Sequence, residues 1–333
     1  MDLKTLCELP GPSGNEKAVR SHLAQEAKKI CDDVRIDRMG NVVCRKKSGS
    51  ESAPHIVMAA HMDEVGFIVV GHSDDGMLLF RSIGGIDPRA IVSKWVKIGD
   101  VPGVIGAKAI HLQSKEDRER VLKYENLYID IGAKEKTEAE KLCPVGAYAV
   151  FDAGFETFGD GFVVSKALDD RVGCYTLLRL MQNDYACDVS YVFTTGEEVG
   201  LRGATGAGYL LQPDIAVILE GTAANDLGDT KERFHVVTPG KGVAVSFMDG
   251  SSIADKELYK QMLDLAAAGG IPCQVKRGVT GGNDAGMFQR GAAGARTVVL
   301  SVPCRYIHSG SGVAKLNDIQ AQYSLADAFL KQY

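Results

Sequence analysis

Four apolar runs constrain this chain most. HIVMAAHM (55–62), DVSYVF (188–193), DIAVILE (214–220) and RTVVLSV (296–302) are short and almost unbroken. A run that is apolar at odd and even positions alike must be covered on both faces. A strand achieves that in the interior of a parallel or mixed sheet. Between the runs the spacing changes to the helical period, in LDDRVGCYTLLRLMQN and DKELYKQMLDLAAAGG. Strand–helix alternation of this kind predicts an α/β layered domain.

Two stretches depart from that rhythm. Near the start, a helical pattern breaks at Pro10-Gly11-Pro12 and resumes in NEKAVRSHLAQEAKKICDD, with Asn15 as candidate cap. VRIDRMGNVVCRKK then reads as two strands around a turn at Met39-Gly40-Asn41. From about residue 66 to 162 the pattern is short Val/Ile strands broken by Gly and Asp. This predicts a small all-β, barrel-like unit (66–162) inserted into an α/β domain made of 1–65 and 163–333.

Composition excludes some partners. The net charge of −5 offers no clustered basic face, so no nucleic acid is expected. No stretch of about 18 uninterrupted apolar residues is present, so no membrane span is expected. MDLKTLCELPGPSGNEK lacks the layout of a secretory signal. The eight cysteines are scattered without a C-x-x-C pair, which suits a reducing cytoplasm. Cys174 and Cys304 read as small core residues.

The chemistry is sought where the apolar runs stop, because ligands of open α/β sheets gather at the carboxyl ends of the strands. The first run ends in His61 and Asp63, the second in Glu197 and Glu198, the third in Glu220 and the fourth in His308. Asp169-Asp170 opens a helix at KALDDRVG. Two histidines with several carboxylates suit Zn²⁺, Co²⁺ or Mn²⁺. Serine-elbow, phosphate-loop and dinucleotide motifs are missing. In a strand, residues i and i+2 share a face, so Asp63 can orient His61 while Glu64 faces the other way in a structural role. In GEE, one carboxylate can bind metal while its neighbour faces a bound water.

AAHMDEVGFIV, KALDDRVG, TTGEEVGLRGA, ILEGT, GGNDAG and RYIHS occur in this order, after an LPGPSGNE start. Together they resemble the glutamyl-aminopeptidase and TET-type family of dinuclear metallo-aminopeptidases, over essentially the whole chain. The resemblance implies a mixed-sheet, three-layer metallopeptidase domain with the β insert serving dimerisation and assembly. It implies two divalent metal ions per subunit: His61 and Glu220 on the first, Glu198 and His308 on the second, Asp169 bridging. Glu197 would be the general base, and Asp63 would support His61. The Asp169-Asp170 peptide would be cis. Asn283 and Asp284 of GGNDAG would lie near the substrate, and Arg305 could pair an acidic side chain. Two departures stand out: Glu220 replaces an aspartate common in relatives, and Asn283 a threonine.

The implied activity is release of N-terminal residues from peptides by a two-metal-activated water, in a cytoplasmic homo-oligomer that relatives build as a dodecamer assembled from dimers. The alternative on the same metal core is a carboxypeptidase or N-acyl amidohydrolase.

Overall fold

The computed structural model of the chain describes residues 2–49, 53–228 and 230–333, leaving aside the side chain of Asp117. Among the described residues, eight strands form one mixed sheet. From edge to edge they are Asp33–Ile36, Val42–Lys46, Asp188–Thr194, His55–His61, Ile215–Ala223, Arg296–Cys304, Val243–Ser246 and Cys273–Lys276. The four apolar runs occupy its centre and are mutually parallel. Antiparallel neighbours flank them on both sides.

The sheet is covered on both faces, as unbroken apolar strands require. Ile56, Met58 and Ala60 pack with Leu177, Leu178, Leu325 and Phe329 on one face. Val57 and Ala59 pack with Ala204, Ala207 and Phe288 on the other. The first face carries the helices Lys17–Lys28, Leu168–Leu180, Lys256–Gly269 and Leu316–Leu330; the second carries Arg202–Leu211 and Ala285–Arg290. Each large aliphatic side chain buried here contributes about 1.5–3 kcal/mol. The helix Lys17–Lys28 does not use Asn15 as its cap. Glu16 holds that position without a side-chain bond, and the Asn15 N–H closes a turn on the Pro12 carbonyl.

Six strands form a closed antiparallel barrel: Gly66–His72, Leu78–Ile83, Leu127–Asp130, Val101–Ala107, Trp95–Ile98 and Tyr148–Phe151. Its own core includes Phe67, Phe80, Ile105, Ile129 and Phe151. Phe67 stands edge-on to Phe80 and Phe151, with ring centroids 5.3 and 5.2 Å apart. The strand Glu156–Phe158, within the stretch expected to belong to the insert, hairpins with Phe162–Ser165. That strand in turn pairs with Gly312–Lys315 beside the main sheet. Among the described residues no helix is long and apolar enough to cross a membrane.

Candidate active site

A row of side chains crosses the carboxyl edge of the parallel strands. Thr194 is in register with His61, and Glu220 with Ser301. Ala59 lies beside Ile218, so one step of two residues brings His61 level with Glu220 on the same face. Val192, Ala59, Ile218 and Val299 beneath them pack under Ala204, Ala207 and Phe288, which fixes the face on which the row stands.

Loops and a helix end complete the cluster. Glu197 and Glu198 lie in the turn that leaves Asp188–Thr194, and His308 in the turn after Arg296–Cys304, with φ +58°. Asp169 enters at the first turn of the helix Leu168–Leu180, and its peptide to Asp170 is cis. Its approach depends on Gly221: a Cβ there would lie 2.9 Å from Asp169 Oδ1 and 3.2 Å from Asp169 Cα. The glycine after Glu220 thus makes room for the carboxylate.

The donor atoms form two triads that share one residue. His61 Nε2 is 3.4 Å from Asp169 Oδ1 and 3.7 Å from Glu220 Oε2. His308 Nε2 is 3.5 Å from Asp169 Oδ2 and 3.3 Å from Glu198 Oε2. A tetrahedral ion with bonds of ~2.1 Å has donors about 3.4 Å apart, so these spacings suit such an ion. The buried oxygens Asp169 Oδ1, Glu198 Oε1 and Glu220 Oε1 have no hydrogen-bond partner. Unpartnered carboxylate oxygens beside imidazole nitrogens are what a divalent cation satisfies. The residues present therefore fit divalent metal.

Asp170 belongs to the same cluster, a role the sequence did not assign. Its donor atoms with those of His61 and Glu220 all lie within 4.8 Å of one another. It is buried and accepts from the His61 N–H at 3.2 Å and the Gly173 N–H at 3.0 Å.

Burial and crowding set the protonation of these groups. Burial pushes the carboxyls of Glu197, Glu220 and Asp170 well above the usual range, and that of Glu198 to about 7. Burial opposes charge on the imidazoles too, yet Asp169 and Asp63 raise His61 well above its ordinary value. His308 reaches about 9, with Asp169 and Glu198 outweighing burial. Burial would raise Asp169 as well, but the two imidazoles hold it low. Among the described residues no Lys or Arg pairs with these carboxylates.

Supporting contacts aim the cluster. The His61 Nδ1 faces the Asp63 carbonyl at 3.1 Å and the Asp63 carboxylate at 3.5 Å. That carboxylate also accepts from Ser13 Oγ at 2.6 Å, the Glu197 N–H at 3.1 Å and the Glu198 N–H at 3.2 Å. Asp63 therefore anchors the glutamate turn as much as the imidazole. His308 Nδ1 bonds the Gly85 carbonyl at 2.9 Å, a contact from just beyond a barrel strand. Glu64 faces away, into Lys166 Nζ at 2.8 Å and Arg171 at 3.5 Å.

A cavity of about 480 Å³ opens over the cluster, lined by His61, Asp169, Glu197, Glu198, Glu220 and His308. Asn283 also lines it, but Asp249 and the Ala285 N–H occupy both of its amide atoms, at 2.7 and 3.0 Å. Asp284 lies buried below, accepting from Thr194 Oγ1 at 2.5 Å. Arg305 stands outside the lining, its guanidinium forked onto Asp226 at 2.9 and 2.6 Å. The wall further carries Ser301 and Lys276, to which no local sequence pattern points.

Residues 40–325 match the family model described as M42 glutamyl aminopeptidase. A lysyl aminopeptidase of Pyrococcus furiosus is 30% identical over 340 residues, covering 99% of this chain and 96% of its own. An aminopeptidase from the archaeon Desulfurococcus kamchatkensis superposes with a TM-score of 0.94 at 34% identity, over 99% of this chain and 94% of that one. The TET1 peptidase of Pyrococcus horikoshii, described as assembling into a tetrahedron or a large octahedral shell, gives 0.87 at 34% identity, over 99% and 98%.

Proposed function

The chain belongs to the M42 glutamyl aminopeptidase family, and on that premise we propose that this cavity takes up the free amino end of a peptide and releases its first residue with two divalent ions. The chain is an aminopeptidase, a peptide hydrolase of a family in which metal dependence is expected. His61, Glu220 and one oxygen of Asp169 would hold one ion; His308, Glu198 and the other oxygen would hold the second. Zn²⁺, Co²⁺ and Mn²⁺ suit this donor set. Bound there, such ions polarise a peptide carbonyl and make water more acidic.

The remaining work falls to this chain's own side chains. Glu197 lines the cavity and has no cationic partner among the described residues. Burial lifts its pKa, so it is suited to take a proton from water and return it to the leaving amine. Asp63 holds the Glu197 and Glu198 N–H groups and thereby positions the base. The surplus of carboxylates draws an α-ammonium group and disfavours a blocked end.

The observation that carries this reading is the division of Asp169 between the triads. Its test uses the metal-loaded protein on one peptide with a free and with an acetylated N-terminus. Cleavage of the free form alone, lost on chelation and regained with two ions per chain, is the expected result. Cleavage of only the acetylated form would assign the site to an acyl-amino hydrolase. Retained hydrolysis after chelation would remove the metal reading.

Assembly and location complete the proposal. The barrel would serve subunit contacts in a homo-oligomer, of the dodecameric kind described for a TET1 relative. Eight free cysteines suit a reducing cytoplasm.

A further inference from the structure

The cavity wall carries a cation without a counter-charge. Lys276 ends the edge strand Cys273–Lys276, lines the cavity and is only 9% exposed. Among the described residues it makes no hydrogen bond or ion pair, whereas the buried Lys166 has Glu64 at 2.8 Å. A cation that faces a cavity with no counter-charge of its own attracts an anion that enters there.

Its surroundings are built for the same ligand. Lys276 is in register with Ser246, and Ser246 with Val299, so Ser301 stands two residues along on the same face. The hydroxyls of Ser246 and Ser301 are buried and unpartnered. Both can donate to an oxygen. Three strand spacings, about 14 Å, separate the Lys276 strand from that of Glu220. Lys276 is thus too distant to neutralise the carboxylate cluster, yet it shares a cavity with it. An amino acid bridging that gap would put its amino group at the carboxylates and its side chain toward the lysine.

We propose that Lys276, with Ser301, binds the side-chain carboxylate of the residue being released, so that the chain selects glutamate or aspartate at the peptide N-terminus. This rests on the aminopeptidase reading above. Family membership does not decide it, since the family model is named for glutamyl and a relative for lysyl release. A lysine at that position would meet Lys276 as a like charge.

The test compares kcat/KM for p-nitroanilides of Glu, Gln, Leu and Lys in the metal-loaded wild type, Lys276→Met and Lys276→Glu. Ratios taken within one enzyme cancel changes in metal loading or folded fraction. The wild type should favour Glu over its isostere Gln by about tenfold or more, the scale of one charge-assisted hydrogen bond. Lys276→Met should bring that ratio close to one, and Lys276→Glu should favour Lys over Gln. A wild-type ratio near one, or a ratio untouched by both variants, overturns the proposal. So does a Lys276 dependence that follows the C-terminal carboxylate, read from Leu-Leu against Leu-Leu amide. Release from none of the four anilides would instead overturn the aminopeptidase reading.

Discussion

Two buried carboxylate clusters stand back to back in this molecule, and they are solved in opposite ways. Asp63 and Glu64 are adjacent, yet Glu64 turns into a pocket where Lys166, Arg171 and the Gly11 N–H meet it at 2.8, 3.5 and 2.9 Å. That charge is neutralised from within the chain. On the other side, Asp169, Glu198 and Glu220 pair only with imidazoles among the described residues, and three of their oxygens accept no hydrogen bond. A carboxylate with its own cation holds a fold together; carboxylates left without one hold a place for a ligand.

The contrast can be broken by substitution. Glu197→Gln should cut turnover by about 10²–10⁴ while metal content, read by elemental analysis, stays at the wild-type level. Near-wild-type rates would put the base elsewhere. Glu64→Gln should do the reverse. Leaving Lys166 and Arg171 without their anion should cost about 3–5 kcal/mol of folding stability in denaturant titrations. Metal uptake should persist below the lowered melting temperature. Were Glu64→Gln to lose metal and keep its stability, the two clusters would not be separate.

Smaller effects sharpen the boundary. Asp63→Asn should weaken metal affinity by about 10–100-fold in competition with a chelator, because Asp63 orients ligands without being one. The partly buried Asp226–Arg305 pair is a smaller counterpart. Hydrogen bonding to Arg305 holds the Asp226 carboxyl below its usual value. A depressed carboxylate adds stability above the unfolded pKa of about 3.9 and loses it as pH falls through the folded value. Asp226→Asn should therefore flatten the acid limb of stability, by at most about 1 kcal/mol. An unchanged acid limb would leave the pair without energetic weight.

The central sheet was legible because residues 55–62, 214–220 and 296–302 are apolar at both parities, a pattern few arrangements satisfy. The positions at the ends of those runs were legible for the same reason: polar groups cluster where strands leave the core. Contacts across distant segments were not. Ser13 meets Asp63 from 50 residues away, and Asp226 meets Arg305 from 79. Arg305, considered from sequence as a partner for an acidic side chain, is taken by Asp226. Lys276 stood unmarked because only sheet register aligns it with Ser246 and Val299. Residue type points to Asn15 as a cap, whereas the Pro12 carbonyl claims its N–H at 2.8 Å.

The carbonyl of Gly85 has a mechanical consequence. By facing Nδ1 of His308 it keeps that ring's other nitrogen aimed at Asp169 and Glu198. Gly85 lies two residues past the barrel strand Leu78–Ile83, so the tautomer is enforced from a body outside the sheet. A tilt of the barrel on the order of an ångström would slacken this tether. Whatever steadies the barrel, a neighbouring copy included, therefore also steadies the histidine.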